Sequence, residues 1–387
     1  MPYKRVLVAI ATLALSASGA IAADTVKIGL IMTMTGQQEA VGRQVVAGAR
    51  LYMQQHGNTV AGKKIELIVR DDAANPDSTK RIAQELIVND KVPILAGMGL
   101  TPLAFAVAPL VTEAKVPLID MVAATSSVTE KSPYTVRVSF TLPQHAVAIA
   151  DWAAKNGSKR VVTLVSNYAP GFDAEKFFKA RFTAAGGKII ASLRVPLMHP
   201  DFAPFLQRAA DYAPDTLFVF IPAGKAGSFA RQFIDRGLDK SGIKLIGVAD
   251  LTDDNDLNNM GEAMIGTVTS GNYSTVHPSA VNKAYVTAFE KANNGLRPNF
   301  ISLGGYDGIH LIYEALRKTG GSTNGDALVD AMKGLAWESP RGPISIDPKT
   351  RDIVQNIYIR RVEKVNGQLY NVEFFTYKAM KDPGKTE

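Results

Sequence analysis

The chain has 387 residues, of which 46% are hydrophobic and 20% charged, and its formal net charge is +7. The composition is that of a globular protein, and the length suits two domains better than one. The sequence contains no cysteine, which excludes disulfides, thiolate catalysis and cysteine-ligated metal centres. Its scattered basic residues form no stripe interleaved with aromatic residues, so we expect no nucleic-acid partner.

The first 23 residues have the pattern of a secretory signal peptide. Lys4 and Arg5 precede an apolar run over residues 6–15, and the segment ends in Ala20-Ile21-Ala22, which fits a cleavage site. The run is too short to span a bilayer, which needs about 20 residues, and no cysteine is present for attachment of a lipid. We predict cleavage before Ala23 or Asp24 and export to the periplasm.

Predicted strands and helices alternate from about residue 26 to residue 121. Apolar runs that end in glycine or polar residues predict strands, and apolar residues at helical spacing predict helices. The strands are predicted at 26–32, 65–69, 92–97 and 116–121, and the helices at 38–55, 77–89 and 102–114. This order predicts a parallel, doubly wound α/β sheet.

The same alternation restarts near residue 142. Its helices are predicted at 142–156, 172–185, 202–209 and 227–236, and its strands at 160–166, 188–195, 216–222 and 244–249. Further helices are predicted at 278–294, 303–319 and 324–333, and two antiparallel strands at 353–363 and 369–377, joined by a turn at Asn366-Gly367. No low-complexity linker separates the two α/β units, so we expect the chain to cross between them more than once.

The sequence shows none of the motifs that mark common catalytic or cofactor sites. The five histidines form no metal-binding pair, and there is no nucleophile elbow or phosphate-binding loop. Gly97 and Gly99 follow a predicted strand, but Pro102 stands where a dinucleotide-binding motif needs its third glycine. We therefore predict no enzymatic activity and no bound cofactor or metal.

Small, hydroxyl-rich loops follow the third and fourth predicted strands. The first contains Thr101 and leads into a helix at Pro102, and the second contains Ala123 and Thr125. Ligands of open α/β sheets bind at the carboxyl ends of the strands, and helix N-termini favour anions such as carboxylates. We interpret the two loops as a candidate carboxylate site, with plain helix capping by each threonine as the alternative.

The second α/β unit offers its own loops after the strands, at 167–171, 222–225 and 250–253. Tyr168 suits a pocket wall, because its ring is flat and apolar and its tip is polar. Tyr273 and Tyr306 are further candidates, and a core or surface position is the alternative for each tyrosine. Two such units with facing strand ends would form a cleft that closes on a small solute by hinge motion.

Short stretches along the whole chain after the signal peptide resemble the periplasmic leucine/isoleucine/valine-binding proteins of ABC transporters. They are Val26-Lys27-Ile28-Gly29 with Thr35-Gly36, Leu67 to Asp72 with Asn75-Pro76, Ala108-Pro109 with Val116-Pro117-Leu118-Ile119, Ala123-Ala124-Thr125-Ser126, Ala185-Gly186-Gly187-Lys188 and Gly304-Gly305-Tyr306-Asp307. The resemblance implies an α/β fold of two doubly wound, Rossmann-like lobes with a hinged cleft, the type I periplasmic binding fold. We predict three crossings, with lobe 1 at 24–141 plus 275–345 and lobe 2 at 142–274 plus 346–387.

The resemblance also assigns roles to particular residues. It implies that Thr101 and the hydroxyl of Thr125 hold a ligand carboxylate, that Ala123 contributes a backbone group, and that Tyr306 faces the ligand from the first lobe. The sequence departs from the family at Val41 and Pro170, where the family has aromatic residues. The acid that receives a ligand ammonium should lie near residue 249, and the nearest one is Asp250.

The function that the resemblance implies is capture of a small carboxylate-bearing solute, a branched-chain or related amino acid, for an ABC importer. Its partners would be the permease subunits in the inner membrane, and we expect the binding protein to be a monomer. Two alternatives stay open: an aromatic or other non-amino carboxylate as the solute, and a periplasmic sensor of a small amide or acid. The departures put the ammonium half of an amino-acid site in question.

Overall fold

The structure, a computed structural model, describes residues 24–385, so the predicted signal peptide lies outside the described residues. The first sheet consists of β1 Thr25–Met32, β2 Thr59–Val60, β3 Lys63–Asp71, β4 Ile94–Gly97, β5 Leu118–Asp120 and β6 Thr135–Arg137. Its order is β2-β3-β1-β4-β5-β6, and every pairing except the short β2 with β3 is parallel. The helices that connect these strands are α1 Glu39–His56, α2 Pro76–Val88 and α3 Thr101–Ala114. The predicted alternation over this part of the chain is confirmed.

The second α/β unit begins with a helix whose N-terminus has a reciprocal cap between Thr141 and Gln144. Its elements are α4 Leu142–Lys155, β7 Arg160–Ser166, α5 Ala169–Ala184, β8 Lys188–Val195, α6 Ala203–Asp211, β9 Thr216–Phe220, α7 Ala226–Asp235, β10 Lys244–Val248, α8 Leu257–Met260 and β11 Val268–Gly271. β9 and β11 are buried along their whole length. That burial is expected for strands of a largely parallel sheet that is covered on both faces.

Three further helices follow, α9 Ala280–Ala292, α10 Phe300–Lys318 and α11 Gly325–Met332, and the first two pack against α1. The close approach of α1 and α10 depends on glycine. A Cβ on Gly48 would overlap the carbonyl oxygen of Ser302, and a Cβ on Gly305 would overlap that of Val45. Among residues 24–385, no helix combines the length and the apolar character that crossing a membrane requires.

The last strands complete the second sheet. They are β12 Ala336–Ser339, β13 Gly342–Ile346, β14 Ile353–Val365 and β15 Gln368–Met380, and the sheet order is β12-β13-β14-β11-β10-β9-β7-β8 with β15 on the free side of β14. The turn between β14 and β15 has positive φ at both Asn366 and Gly367, as a tight hairpin requires. The predicted C-terminal hairpin is therefore confirmed.

One expected boundary differs from the structure. We expected the first lobe to extend to residue 345, but residues 344–346 pair with residues 353–355, so β12 and β13 belong to the second sheet. The chain passes between the two α/β units after β6, after β11 and after α11. The α/β fold with two doubly wound units is confirmed, and the lobe assignment of the connecting residues stays a prediction.

Candidate functional site

A cavity lies where the loops of the two sheets meet. It is lined by the loops that follow β4 and β5 in the first unit and β7, β9 and β10 in the second. The lining residues are Gln38, Val41, Gly99, Leu100, Thr101, Val122, Ala123, Ala124, Phe140, Leu142, Tyr168, Pro170, Phe220, Pro222, Ala223, Asp250 and Ile301. The five loops follow the carboxyl ends of parallel strands, where open α/β sheets bind their ligands.

The first-unit end of the cavity carries hydrogen-bond donors. Thr101 is the first residue of α3, and its hydroxyl donates to the hydroxyl of Thr125 over 3.2 Å. Both threonines are buried. Within residues 24–385, the backbone N–H groups of Gly99, Leu100 and Thr101 donate to no other group. Unpaired N–H groups at the start of a 14-residue helix favour an anion.

Ala123 also lines the cavity, but its backbone N–H is engaged elsewhere. It donates to the carboxylate of Asp120 over 2.9 Å and to the carbonyl oxygen of Met98 over 3.0 Å. Any contribution of Ala123 to a ligand through its main chain is therefore limited to its carbonyl oxygen. The role expected for this residue stays a prediction.

A buried arginine stabilises the loop over residues 122–126, which carries Thr125 and which we call the threonine loop. The sequence had not indicated this role. Arg137 is fully buried, donates from Nε to Asp120 over 3.0 Å, and donates from Nη2 to the carbonyl oxygen of Thr125. Burial raises the pKa of Asp120 to about 6, although the charge of Arg137 opposes that rise. Arg137 stands at the end of a strand of three residues, too short for its pattern to reveal this role.

At the second-unit end of the cavity lies a buried carboxyl group, that of Asp250, with one oxygen that accepts no hydrogen bond within the described residues. Asp250 is buried, and its Oδ1 accepts the backbone N–H of Ala223 over 3.0 Å. Its Oδ2 has no hydrogen-bond partner within the described residues. Burial raises the pKa of Asp250 to about 7, although the N–H of Ala223 and the charge of Arg360 oppose that rise.

Tyr168 stands beside Asp250 on the same end. Its ring stacks on Phe220, with centroids 6.0 Å apart and planes 14° from parallel, and its hydroxyl forms no hydrogen bond within residues 24–385. Burial, and then the charge of Asp250, raise the pKa of Tyr168 well above its usual value. The carboxyl of Asp250 and the hydroxyl of Tyr168 can therefore both bond to a polar group on a ligand.

The walls between the two polar ends are apolar. Val41 and Pro170, the positions where the sequence departs from the family pattern, both line the cavity, together with Phe140, Leu142 and Ile301. Burying a flat hydrophobic group between such walls is favourable, at roughly 25 cal/mol per Å² of apolar surface. The cavity can therefore hold a small molecule that is apolar in the middle and polar at both ends.

The mouth of the cavity is bridged by side chains from both units. Gln38 donates to the carbonyl oxygen of Ala223 over 3.3 Å, and Lys225 donates to Gln37 over 2.8 Å. Gln37 also contacts His199, with 2.7 Å between Nε2 and Nδ1. These bonds join the turn after β1 to the loops of the second unit, so the cleft is closed in this structure.

The structure does not bring Tyr306 into the cavity, and this expectation needs correction. Tyr306 lies on α10, where its hydroxyl donates to Gln55 over 2.8 Å and its ring packs edge-on against Tyr52 and Tyr285. Tyr273 is also outside the cavity, because its hydroxyl donates to buried Asn282. Four of the other predicted site residues, Thr101, Ala123, Tyr168 and Asp250, line the cavity. Thr125 lies next to it, where its hydroxyl accepts the hydrogen bond of Thr101.

Comparison with known proteins places the chain in a family. The family model described as periplasmic binding protein matches residues 25–368. The chain therefore belongs to the periplasmic binding protein family, and its fold is the type I periplasmic binding fold. The predicted class, a solute-binding protein of the kind that serves ABC transporters, is confirmed.

Two solved structures and one curated relative are similar over nearly the whole chain. A solute-binding protein of an ABC transporter from Rhodopseudomonas palustris BisB5, in complex with 3,4-dihydroxybenzoic acid, is 63% identical, with a TM-score of 0.93 over 94% of this chain and 100% of that one. A second one, from Rhodopseudomonas palustris HaA2 with p-hydroxybenzoic acid, is 45% identical, with a TM-score of 0.91 over 93% of this chain and 99% of that one. The Leu/Ile/Val-binding protein homolog 6 of Brucella abortus is 43% identical over 98% of both chains.

Proposed function

We propose that this protein captures a hydroxylated aromatic carboxylate in the periplasm and delivers it to the permease of an ABC importer. The observation that carries the proposal is the cavity with two unlike polar ends and apolar walls between them. The ligands named for the similar solute-binding proteins, dihydroxybenzoic and hydroxybenzoic acid, have the same arrangement of polar and apolar parts.

In this proposal the ligand carboxylate lies at the start of α3. The hydroxyls of Thr101 and Thr125 and the backbone N–H groups of Gly99 and Leu100 are its donors. A hydrogen bond to a charged group is worth about 1.5–3 kcal/mol. The two N–H groups and the Thr125 hydroxyl donate to no other group within the described residues, and the Thr101 hydroxyl would turn from Thr125 to the carboxylate.

The ring hydroxyl lies at the other end, against Asp250 and Tyr168. A phenol donates one hydrogen bond and accepts another, so it can satisfy the unmet Oδ2 of Asp250 and the free hydroxyl of Tyr168. Such a bond needs no full charge on the acid, which suits a carboxyl group whose pKa is raised to about 7. The ring itself fills the space between Phe140, Phe220 and Pro170.

A branched-chain amino acid is the second candidate solute, and the presence of Asp250 in the cavity is the observation that favours it. A buried carboxylate is the usual partner of a ligand ammonium, and the curated relative carries the name Leu/Ile/Val-binding protein homolog. An ammonium would lower the pKa of Asp250, whereas a phenol leaves it raised. The two candidates are therefore separable by experiment.

The remaining parts of the proposal concern the setting of the protein. The signal peptide is cleaved before Ala23 or Asp24, and the mature protein is a periplasmic monomer without enzymatic activity. Hinge motion between the two units opens the cleft for the solute, and the bonds of Gln37 and Gln38 across the mouth close it.

A thermal-shift screen of the purified mature protein tests the proposal. The probes are 3,4-dihydroxybenzoate, 4-hydroxybenzoate, benzoate, leucine and a small amide. A ligand at 100 times its dissociation constant adds about 2.7 kcal/mol to the unfolding free energy. We expect the hydroxybenzoates to give the largest rise in melting temperature, and a larger rise with leucine would instead support the amino-acid candidate.

A further inference from the structure

The segment that follows β15 leaves the second sheet and packs against the threonine loop of the first unit. Asp382 is buried, and the side chain of Lys385 is only 9% exposed. A long lysine side chain is seldom buried unless its charge is paired. We call residues 382–385 the tail clamp.

The tail clamp forms hydrogen bonds with Ser126, the residue directly after Thr125. The hydroxyl of Ser126 donates to Asp382 over 2.6 Å, and Nζ of Lys385 donates to the carbonyl oxygen of Ser126 over 2.5 Å and to Thr129 over 3.1 Å. Gly384 lies so close that a Cβ there would overlap the hydroxyl of Ser126. Ser126 is thus fixed through its side chain and its main chain by one segment.

Ser126 is also held by the second unit on its other side. Its backbone N–H donates to Asp173 of α5 over 2.9 Å. The loop that carries Thr125 is therefore tied to the second unit by both the tail clamp and a helix.

The tail clamp also completes the charge cluster behind the loop. Asp352 pairs with Arg137 at 3.1 Å and with Lys385 at 3.3 Å, and Arg137 in turn holds Thr125 and Asp120. With Lys385 in place, two cations face the three buried carboxylates of Asp120, Asp352 and Asp382. Without Lys385, one cation would face these three carboxylates, and the negative charge behind the loop that we propose binds a carboxylate would increase.

We propose that the tail clamp is a positioning element of the binding site, which fixes the loop over residues 122–126 in the conformation that binds the solute carboxylate. The clamp residues act through Ser126 and Arg137 and do not contact the solute. The part of this inference that concerns affinity rests on the proposed function, and the part that concerns the loop does not.

The variants that test the clamp are Lys385→Met and Asp382→Asn, with Lys385→Arg as the variant that keeps the charge. Lys381→Met is the matched control, because Lys381 is a neighbouring lysine with a 72% exposed side chain that pairs with Asp347. Each protein is measured by hydrogen–deuterium exchange over residues 121–130 without ligand, and by calorimetry with 4-hydroxybenzoate.

In Lys385→Met and Asp382→Asn we expect faster exchange over 121–130, because the loop loses part of its anchoring. We also expect the dissociation constant for 4-hydroxybenzoate to rise about threefold to thirtyfold, the range seen for residues that act through a neighbour. Lys385→Arg should restore most of the affinity, and Lys381→Met should match the wild type in both measurements.

Two results would overturn the inference: unchanged exchange over 121–130 in both clamp variants, or equal loss of affinity in the Lys381→Met control. If the wild-type protein binds none of the aromatic acids, the proposed function fails, and the exchange measurement still decides whether the clamp positions the loop.

Discussion

The two ends of the cavity differ in how firmly their side chains are held and in the kind of group that they leave unpaired: backbone N–H donors at the first-unit end, and a carboxyl oxygen and a phenol at the second-unit end. At the first-unit end, Thr101 and Thr125 bond to each other and Arg137 holds the loop from behind. At the second-unit end, one oxygen of Asp250 has no partner within the described residues, and the hydroxyl of Tyr168 forms no hydrogen bond within residues 24–385. In our proposal the first-unit end, the rigid end, binds the carboxylate, and the second-unit end, the incomplete end, selects the group opposite to it.

The largest expected effect concerns the support of the rigid end. Arg137→Met removes the cation from a fully buried cluster and leaves Asp120 and Asp352 without their shared partner. Breaking a buried ion pair in this way costs about 3–5 kcal/mol, so we expect the unfolding free energy in urea to fall by that amount. In the control Arg43→Met the lost pair is exposed, and a change below about 1 kcal/mol is expected. Equal effects in the two variants would show that the rigid end does not depend on Arg137.

The next effect concerns the donors of the rigid end. Thr101→Val keeps the size of the side chain and removes its hydroxyl, so the carboxylate loses one charge-assisted hydrogen bond. We expect the dissociation constant for 4-hydroxybenzoate to rise about tenfold to a hundredfold. Calorimetry is the measurement, and Thr287→Val, on the exposed face of α9, is the control. Unchanged affinity in Thr101→Val would move the carboxylate away from this end.

The third prediction concerns the incomplete end and the pH dependence of the unfolding free energy that Asp250 causes. The folded-state pKa of Asp250 is raised from 3.8 to about 7, so the folded state holds a proton that the unfolded state has already lost between those pH values. The stability that Asp250 contributes is therefore present below about pH 4 and is lost as pH rises through 7. Asp250→Asn removes this titration.

Raising the pH from 5 to 8 should therefore stabilise Asp250→Asn relative to the wild type by roughly 2.5 kcal/mol, since one pKa unit corresponds to about 1.4 kcal/mol. Urea unfolding of both proteins without ligand at the two pH values measures this difference. Buried acids without a charge interaction with Asp250, such as Asp120, titrate in both proteins and cancel in the comparison. A constant difference across this pH range would contradict the raised pKa.

The smallest effect concerns the bonds across the cavity mouth, which join the two ends. Gln37→Ala removes the acceptor of Lys225 and the contact with His199. Hydrogen bonds of this kind contribute about 0.5–1.5 kcal/mol, so we expect solute dissociation to become about twofold to tenfold faster. Stopped-flow fluorescence would measure the rate, and an unchanged rate would show that these bonds do not hold the cleft closed.

Most helices and strands could be predicted from the sequence, because the spacing of hydrophobic residues differs between the two kinds of element. The buried runs of β4 and β9 and the apolar stripe of α1 are visible in single stretches of the chain. The short strands β12 and β13 were assigned to the wrong unit, because backbone pairing with a distant strand, and not local pattern, places them.

The sequence predicted the site residues only where a residue follows a strand, because the end of the strand then decides where its side chain lies. Thr101, Ala123, Tyr168 and Asp250 follow strands whose carboxyl ends lie at one edge of a sheet, so they converge on the cavity. Tyr306 stands on a helix, where the packing of α10 against α1 decides which way its ring points. Arg137 was missed because it ends a strand of three residues, and only the folded chain brings Asp120, Thr125 and Asp352 to it.

Calorimetry of the wild-type protein with four probes is the most direct test of the proposal that one end of the cavity binds a carboxylate and the other a ring hydroxyl. 4-Hydroxybenzoate carries both polar groups, benzoate lacks the hydroxyl, 4-hydroxybenzamide lacks the carboxylate charge, and leucine replaces the ring and the hydroxyl by an aliphatic chain and an ammonium. We predict the tightest binding for 4-hydroxybenzoate, with benzoate and 4-hydroxybenzamide each at least about tenfold weaker, and leucine weaker still. Leucine binding more tightly than 4-hydroxybenzoate, or equal binding of 4-hydroxybenzoate and 4-hydroxybenzamide, would contradict the account.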